Sequence, residues 1–375
     1  MPADSGAKSA ARGRVLAVDL IKAGAAQIIA WHHFCLFGPM SDAAWWYAPA
    51  LFKWLANNGK LSVQCFLVMG GFMAAAALLP GGGKPWSAPS LAEWPNIVWR
   101  RYKRLAKVYF IGLAAALVCG IVARAMIDEP STPAAPDWYA IVVHLFFAQD
   151  LLGVPALTAG AWYMAIDLQL YALLALLCVL SAGFASGRGA RYVALGLVAA
   201  LGLSSLLLFN RDHDLEVWGI YFFGSYSLGV AAHWVSRFSG LRKRMWLLVM
   251  MAACATALLL EWRSRIAVSA VTACVLVLFG AYRTTAKNWL VSLIGYLSRI
   301  SFPLFVLHYP VLMLVGAIVG ATWDDDPAAN MTGLLIAWSL SMAAATAVAA
   351  WLDPAGGRSK PALGRWAHTT GLAQV

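Results

Sequence analysis

Residues 300–320 read ISFPLFVLHYPVLMLVGAIVG, a run of 21 mostly apolar residues with one histidine, His308, near its middle. A helix that crosses about 30 Å of hydrocarbon needs about 20 such residues. Nine further apolar runs follow the same pattern, so the sequence predicts an all-α, polytopic membrane protein with about ten transmembrane helices. The ten runs lie near 16–37, 61–79, 105–127, 161–183, 191–209, 217–236, 245–260, 266–282, 300–320 and 331–351.

The composition of the chain also indicates a bilayer environment. Of its 375 residues, 61% are hydrophobic and 12% are charged, and the mean hydropathy is +0.70. Soluble proteins carry about 25% charged residues, because water must solvate their surface. Side chains that face hydrocarbon need no charge, which accounts for the difference. The formal net charge of +11 could instead indicate nucleic-acid binding. The distribution of the basic residues along the chain distinguishes a nucleic-acid-binding protein from a membrane protein.

The basic residues are distributed as the positive-inside rule expects. With ten crossings and a cytoplasmic N-terminus, 21 of the 28 Lys and Arg residues lie in cytoplasmic segments. The shorter apolar stretch 138–154 is predicted not to cross, because a crossing there would invert every later loop. The prediction is therefore a cytoplasmic segment 1–14, a transmembrane domain 15–351 and a cytoplasmic tail 352–375. The net charge is then an asymmetry between the two faces, and no nucleic-acid partner is expected.

The cysteines do not suggest a metal site or a disulfide framework. All six lie inside apolar runs, and none has CxxC or zinc-ligand spacing. Buried free thiols are the expectation, and no metal is predicted.

Ionisable residues at membrane depth are candidates for function, because they are costly to keep there. Lys22 and His33 are eleven residues apart, which is about 20° past three helical turns and about 16 Å of rise. They therefore share one stripe of the first helix. The spacing fits a functional pair and equally fits a lysine that reaches the inner interface together with a histidine at the outer one.

Three further groups stand out. The basic cluster before the third run would contact lipid phosphates or bind a phosphorylated cosubstrate. Asp167 and Gln169, near the outer start of their run, are expected to line a cavity. In the ninth run Pro303 is expected to start a helix, where its missing N–H costs nothing, and His308 lies near mid-membrane. The cluster is Arg100, Arg101, Lys103, Arg104 and Lys107.

In this order, these segments resemble the membrane-bound acyltransferase family 3, a group of bacterial O-acyltransferases that act on surface polysaccharides and other carbohydrates. The resemblance covers about residues 14–320. It rests on five stretches of sequence, each weak alone. They are Val18 to Lys22 with His33, Ser62 to Phe72, Arg101-x-x-Arg104 with Tyr109, Trp162 to Tyr171, and Ser301 to His308. The chain departs from the family pattern at Lys22 (Arg in the family), Gly70 (Ser), Lys107 (Pro) and Asp167 (Glu).

The resemblance implies an enzyme and gives roles to its residues. His33 would be the general base on the acceptor hydroxyl, and Asp167 would contact and orient it. Acyl-CoA, most simply acetyl-CoA, would enter from the cytosol as cosubstrate, and Arg101, Arg104 and Lys22 would bind it. Three more residues would line the substrate cavity, namely Gln169, Tyr171 and His308.

The implied acceptor is an extracytoplasmic or lipid-linked carbohydrate, and the implied location is the bacterial cytoplasmic membrane, with membrane lipid as a partner. Two other classes of protein remain open from the sequence. One is a ten-span carrier for an anionic solute, whose pathway Lys22, Asp167 and His308 would line. The other is a membrane scaffold without catalysis.

Overall fold

A computed structural model describes residues 13–81, 86–286 and 288–353. The predicted terminal segments 1–14 and 352–375 lie almost wholly outside these ranges. The described residues form an all-helical bundle without β-strands. Its α-helices are α1 (Leu16–Phe34), α2 (Met40–Ala44), α3 (Pro49–Asn58), α4 (Ser62–Leu78), α5 (Trp94–Met126), α6 (Trp138–Leu145), α7 (Ala161–Ser181), α8 (Gly187–Leu207), α9 (Gly219–Val235), α10 (Gly240–Leu260), α11 (Ser264–Phe279), α12 (Trp289–Trp323) and α13 (Pro327–Leu352).

Each of the ten predicted runs coincides with a helix. Seven helical segments within the described ranges are long and apolar enough to cross a membrane. Helix α11 is apolar but has 16 residues, α9 has 17, and α1 carries Asp19, Lys22 and two histidines among its 19 residues. The count of ten crossings and the cytoplasmic termini stay predictions. The seven segments are Pro49–Leu78, Leu91–Met126, Ala161–Ser181, Gly187–Arg211, Gly240–Leu260, Trp289–Trp323 and Pro327–Leu352.

Contacts between loops are consistent with the predicted alternation. At one end of the bundle, Arg14 and Thr284 exchange two backbone hydrogen bonds of 2.9 and 2.8 Å. At the other end, the Arg211 side chain donates to Glu261 at 3.0 Å. Each pair joins two loops that the charge distribution places on the same side. The segment 138–154 holds only the eight-residue α6, which rises about 12 Å and is too short to cross.

Two helices start earlier than their apolar runs predict. Helix α5 begins at Trp94, because Ser90 and Glu93 form a capping box just before it, and the basic cluster therefore lies on the helix itself. Helix α12 begins at Trp289, where the side chain of Asn288 accepts a hydrogen bond from the backbone N–H of Val291. Pro303 thus lies inside the helix, and the expectation that it starts one was wrong. Proline is tolerated there because neighbouring helices can satisfy the freed backbone groups.

Glycines allow α4 and α9 to approach closely. A Cβ at Gly229 would lie 1.8 Å from the carbonyl oxygen of Val68, and a Cβ at Gly71 would lie 1.9 Å from that of Tyr226. Small residues serve this purpose at many interfaces between membrane helices. The two helices position Gly70 and Tyr226 at the candidate site.

Gly229→Ala is therefore expected to destabilise the protein by about 1–3 kcal/mol, the usual cost of overpacking. The measurement is thermal unfolding in detergent micelles. Gly196→Ala is the matched control, because no atom lies within 4 Å of a Cβ placed at that position of α8. Equal unfolding temperatures for the two variants would contradict this account of the interface.

Candidate functional site: a buried histidine pair and an arginine–aspartate pair

A pair of buried histidines joins α1 to α12. The Nδ1 atom of His33 lies 2.6 Å from the Nε2 atom of His308. His33 is 8% exposed and His308 is fully buried. His33 is the penultimate residue of α1, and His308 lies near the middle of α12. The structure thus brings together two histidines that the sequence placed in separate motifs.

The hydrogen bonds determine which nitrogen carries each proton. The Nδ1 atom of His308 lies 2.9 Å from the carbonyl oxygen of Leu304, which can only accept, so this nitrogen is the donor. The Nε2 atom of neutral His308 then carries a lone pair and accepts a hydrogen bond from His33 Nδ1–H. The Nε2 atom of His33 is left with its own lone pair. A histidine in this tautomer can remove a proton from a hydroxyl group.

His308 is therefore a positioning residue with a testable role. His308→Leu removes the acceptor for His33 Nδ1–H, and kcat for acyl transfer is expected to fall at least about tenfold, the worth of about 1.4 kcal/mol of lost orientation. His308→Gln keeps an acceptor oxygen and is expected to retain most of the activity. The measurement is steady-state kinetics on both variants, and the change is expected in kcat alone. Equal losses in both variants would contradict the tautomer assignment.

An aromatic cluster lies next to the histidine pair. The ring centroids of Phe66, Tyr163 and Phe305 lie 5.3 to 6.1 Å from one another. The Phe305 ring is also 6.3 Å from the ring of His308. The cluster joins α4, α7 and α12, and the sequence alone did not single out Phe66 or Phe305. Phe66 lies within the stretch Ser62 to Phe72 and Phe305 within Ser301 to His308, and this membership is the signal that could have found them.

Arg101 and Asp167 form the second polar centre. The Arg101 guanidinium donates to the carboxylate through Nε at 2.9 Å and through one terminal nitrogen at 2.7 and 2.6 Å. The two side chains are only 10% and 4% exposed. The Arg101 guanidinium carbon also lies 5.1 Å from the centroid of the Tyr171 ring. A buried carboxylate needs a counter-charge, and the planar arginine fork matches its geometry.

This pairing corrects one expectation. The predicted contact between Asp167 and His33 is not formed, because Arg101 binds the Asp167 carboxylate and His308 binds the imidazole. The Arg101 fork engages that carboxylate, and the binding of cosubstrate phosphate by Arg101 stays a prediction. Arg104 is exposed on α5 together with Arg100, Lys103 and Lys107.

Two departures from the family pattern meet at this centre. A Cβ at Gly70 would lie 3.5 Å from Oδ1 of Asp167 and 3.1 Å from the Tyr226 ring. The Tyr226 hydroxyl is buried without a hydrogen-bond partner among the described residues. The family pattern has serine at position 70 and glutamate at position 167. Gly70 and Asp167 are both smaller, and both substitutions therefore alter the packing of the same small volume.

The remaining predicted residues lie at different places. Gln169 accepts a hydrogen bond from Gly219 N–H at 2.7 Å and donates to the carbonyl oxygen of Val217 at 3.2 Å. These contacts fasten α7 to the start of α9, and the position of Gln169 in a substrate cavity stays a prediction. Lys22 shares α1 with His33, as predicted. Asp19, one turn earlier on α1, accepts a hydrogen bond from the Ser298 hydroxyl at 2.7 Å.

Comparison with known families gives the class of this helical bundle. A family described as an acyltransferase domain matches residues 15–353. The chain belongs to acyltransferase family 3.

One similar protein is the regulator of hypoxia-inducible factor 1 from Caenorhabditis elegans, which is 29% identical over 123 residues. That alignment covers 32% of this chain and 23% of the relative, so the chain matches less than a quarter of the relative's length. No solved structure matches the chain.

Proposed function

We propose that the protein is an O-acyltransferase that moves an acyl group from cytosolic acyl-CoA to a hydroxyl of an extracytoplasmic or lipid-linked carbohydrate. Acetyl-CoA is the simplest donor, and the bacterial cytoplasmic membrane is the proposed location. The hydrogen bond between His33 and His308 carries the proposal, because it leaves His33 Nε2 unprotonated. This is the form that a general base requires.

The chemistry requires one base and returns it unchanged. His33 Nε2 takes the proton of the acceptor hydroxyl while the hydroxyl oxygen attacks the carbonyl carbon of the thioester. The new C–O bond forms, the C–S bond breaks, and the proton passes from His33 to the departing thiolate of CoA. His308 holds the imidazole through Nδ1 during both proton transfers.

A basic stripe on α5 supports an anionic donor. Four exposed basic residues recur at positions i, i+3, i+4 and i+7, so they lie on one face of the helix. Lysine and arginine in such an arrangement attract the phosphates of a cosubstrate such as acyl-CoA. The residues are Arg100, Lys103, Arg104 and Lys107.

Reconstitution into liposomes separates this function from the carrier hypothesis. With acetyl-CoA labelled in its acetyl group and a carbohydrate acceptor, we expect the release of free CoA and the appearance of label on the carbohydrate. A carrier would instead accumulate a labelled anionic solute inside the liposomes without acyl-CoA. Solute accumulation without any release of CoA would overturn the proposal.

A further inference from the structure

An apolar groove of about 340 Å³ lies between the N-terminal part of α5, helix α7 and the loop after α6. This volume is in the range of small-molecule sites. None of the described residues that line the groove carries a charge. Its walls include four aromatic and two aliphatic side chains, namely Trp94, Trp99, Tyr102 and Phe146 with Val98 and Leu168.

Hydrogen bonds hold the walls of the groove in place. The indole N–H of Trp94 donates to the carbonyl oxygen of Ala172 at 3.0 Å, which joins α5 to α7. The hydroxyl of Tyr102 donates to the carbonyl oxygen of Leu145 at 2.7 Å, which joins α5 to the end of α6. The groove is therefore formed before any ligand arrives, which lowers the cost of binding.

A strained residue fixes the wall that comes from the loop after α6. Phe147 has a positive φ of 58°, a conformation that is rare for a bulky residue. Its buried ring packs against the rings of Tyr102 and Tyr109, with centroid distances of 5.2 and 5.0 Å. The preceding side chain, Phe146, is 66% exposed and faces the groove. Strain of this kind persists where surrounding structure fixes it, and it clusters at ligand sites.

A cation lies at the edge of the groove. The Nζ atom of Lys103 lies 5.8 Å from the centroid of the Trp99 ring. The two residues are about 40° apart around α5, which makes Lys103 the member of the basic stripe nearest to the groove. Trp94 and Trp99 precede the predicted apolar run 105–127, and Trp and Tyr favour the membrane–water interface. The groove therefore lies at the predicted cytoplasmic interface, where lipid phosphates are found.

We propose that the groove and Lys103 form a binding site for one anionic phospholipid of the leaflet on the predicted cytoplasmic side. An acyl chain lies along the aromatic and aliphatic walls, and the phosphate binds the Lys103 ammonium. Basic residues beside grooves between membrane helices bind anionic head groups in this way. Arg104 is about 140° around α5 from Trp99, so it faces away from the groove and remains available to the proposed donor.

The bound lipid contacts the same two helices that the Arg101–Asp167 pair joins. Tyr102 and Leu168 directly follow Arg101 and Asp167 in the sequence, and both line the groove. A ligand that binds only the folded protein stabilises it, so the lipid stabilises the contact between α5 and α7. The inference concerns lipid binding and does not depend on the acyl-transfer reaction.

The first test titrates the full-length protein in detergent with phosphatidylglycerol or phosphatidylcholine that carry the same acyl chains. Native mass spectrometry measures the bound lipid. The wild-type protein is expected to bind one lipid tightly and to prefer phosphatidylglycerol about fivefold, the contribution of a basic residue near a membrane surface. Lys103→Gln is expected to lose this preference. Lys243→Gln is the matched control and should keep it, because Lys243 lies on α10 and does not line the groove.

The second test fills the groove. Val98→Trp places a large side chain where the acyl chain would lie, so binding of both lipids is expected to fall at least about tenfold. The variant should also lose the rise in unfolding temperature that phosphatidylglycerol gives to the wild-type protein. Val118→Trp is the matched control, because Val118 is an exposed residue of α5 that does not line the groove. Unfolding without lipid shows whether each variant is folded.

Three results would overturn the lipid site. They are an unchanged preference in Lys103→Gln, full lipid binding by a folded Val98→Trp protein, and displacement of the bound lipid by excess CoA, which would assign the groove to the donor. The Lys103→Gln measurement decides even when Val98→Trp does not fold. Absence of acyl transfer would overturn the proposed function and would leave the lipid site unaffected.

Discussion

His33→Ala is expected to lower kcat for acetyl transfer by about 10²–10⁴-fold, the usual contribution of a positioned general base. The loss follows from the structure, because His33 is the histidine whose Nε2 remains unprotonated when His308 accepts its Nδ1–H. In the proposed mechanism, alanine removes the base, so no group takes the proton from the acceptor hydroxyl. The measurement is the rate of CoA release with a carbohydrate acceptor at saturating acetyl-CoA.

His213→Ala is the control for this variant. His213 lies in the loop between α8 and α9, and its side chain is 73% exposed, so its loss should leave the rate unchanged. Thermal unfolding of both variants checks that the bundle is intact. Full acyl transfer by a folded His33→Ala protein would remove the catalytic role of His33 but not the family assignment.

Asp167→Asn is expected to destabilise the protein by about 3–5 kcal/mol, because it leaves a buried guanidinium without its counter-charge. Asparagine keeps the size of the side chain, so the effect reports the lost charge. The three hydrogen bonds between Arg101 and Asp167 connect α5 to α7. The measurement is thermal or denaturant unfolding in detergent micelles.

The double variant Arg101→Met with Asp167→Leu distinguishes a lost partner from lost packing. It removes both charges, and apolar residues can replace a buried ion pair at little or no cost. We expect it to recover most of the stability that Asp167→Asn loses. Asp325→Asn should change stability by less than about 0.5 kcal/mol, as exposed substitutions usually do. A double variant less stable than Asp167→Asn would contradict the pairing account.

The candidate residues could be found from the sequence, but their partners could not. His33 and His308 are 275 residues apart, and Arg101 and Asp167 are 66 apart. Spacing along one helix shows which residues share a face, as for Lys22 and His33. It does not show which face of another helix lies opposite. For this reason Asp167 was expected beside His33, although Arg101 occupies that carboxylate.

The local features of the chain were determined by the sequence itself. Membrane residence and the positions of the ten helices follow from composition and run length, because the cost of placing a residue in hydrocarbon depends mainly on that residue and its immediate neighbours. The start of α12 at Trp289 was not apparent from hydropathy, because the Asn288 cap and not the apolar run determines it.

Only the tertiary structure decided which polar groups meet. The packing of α1 against α12 forms the histidine pair, and that of α5 against α7 forms the Arg101–Asp167 pair. The physical reason is that burying a polar group costs free energy unless a partner compensates it. That partner is supplied by the packing of distant helices and not by neighbours along the chain.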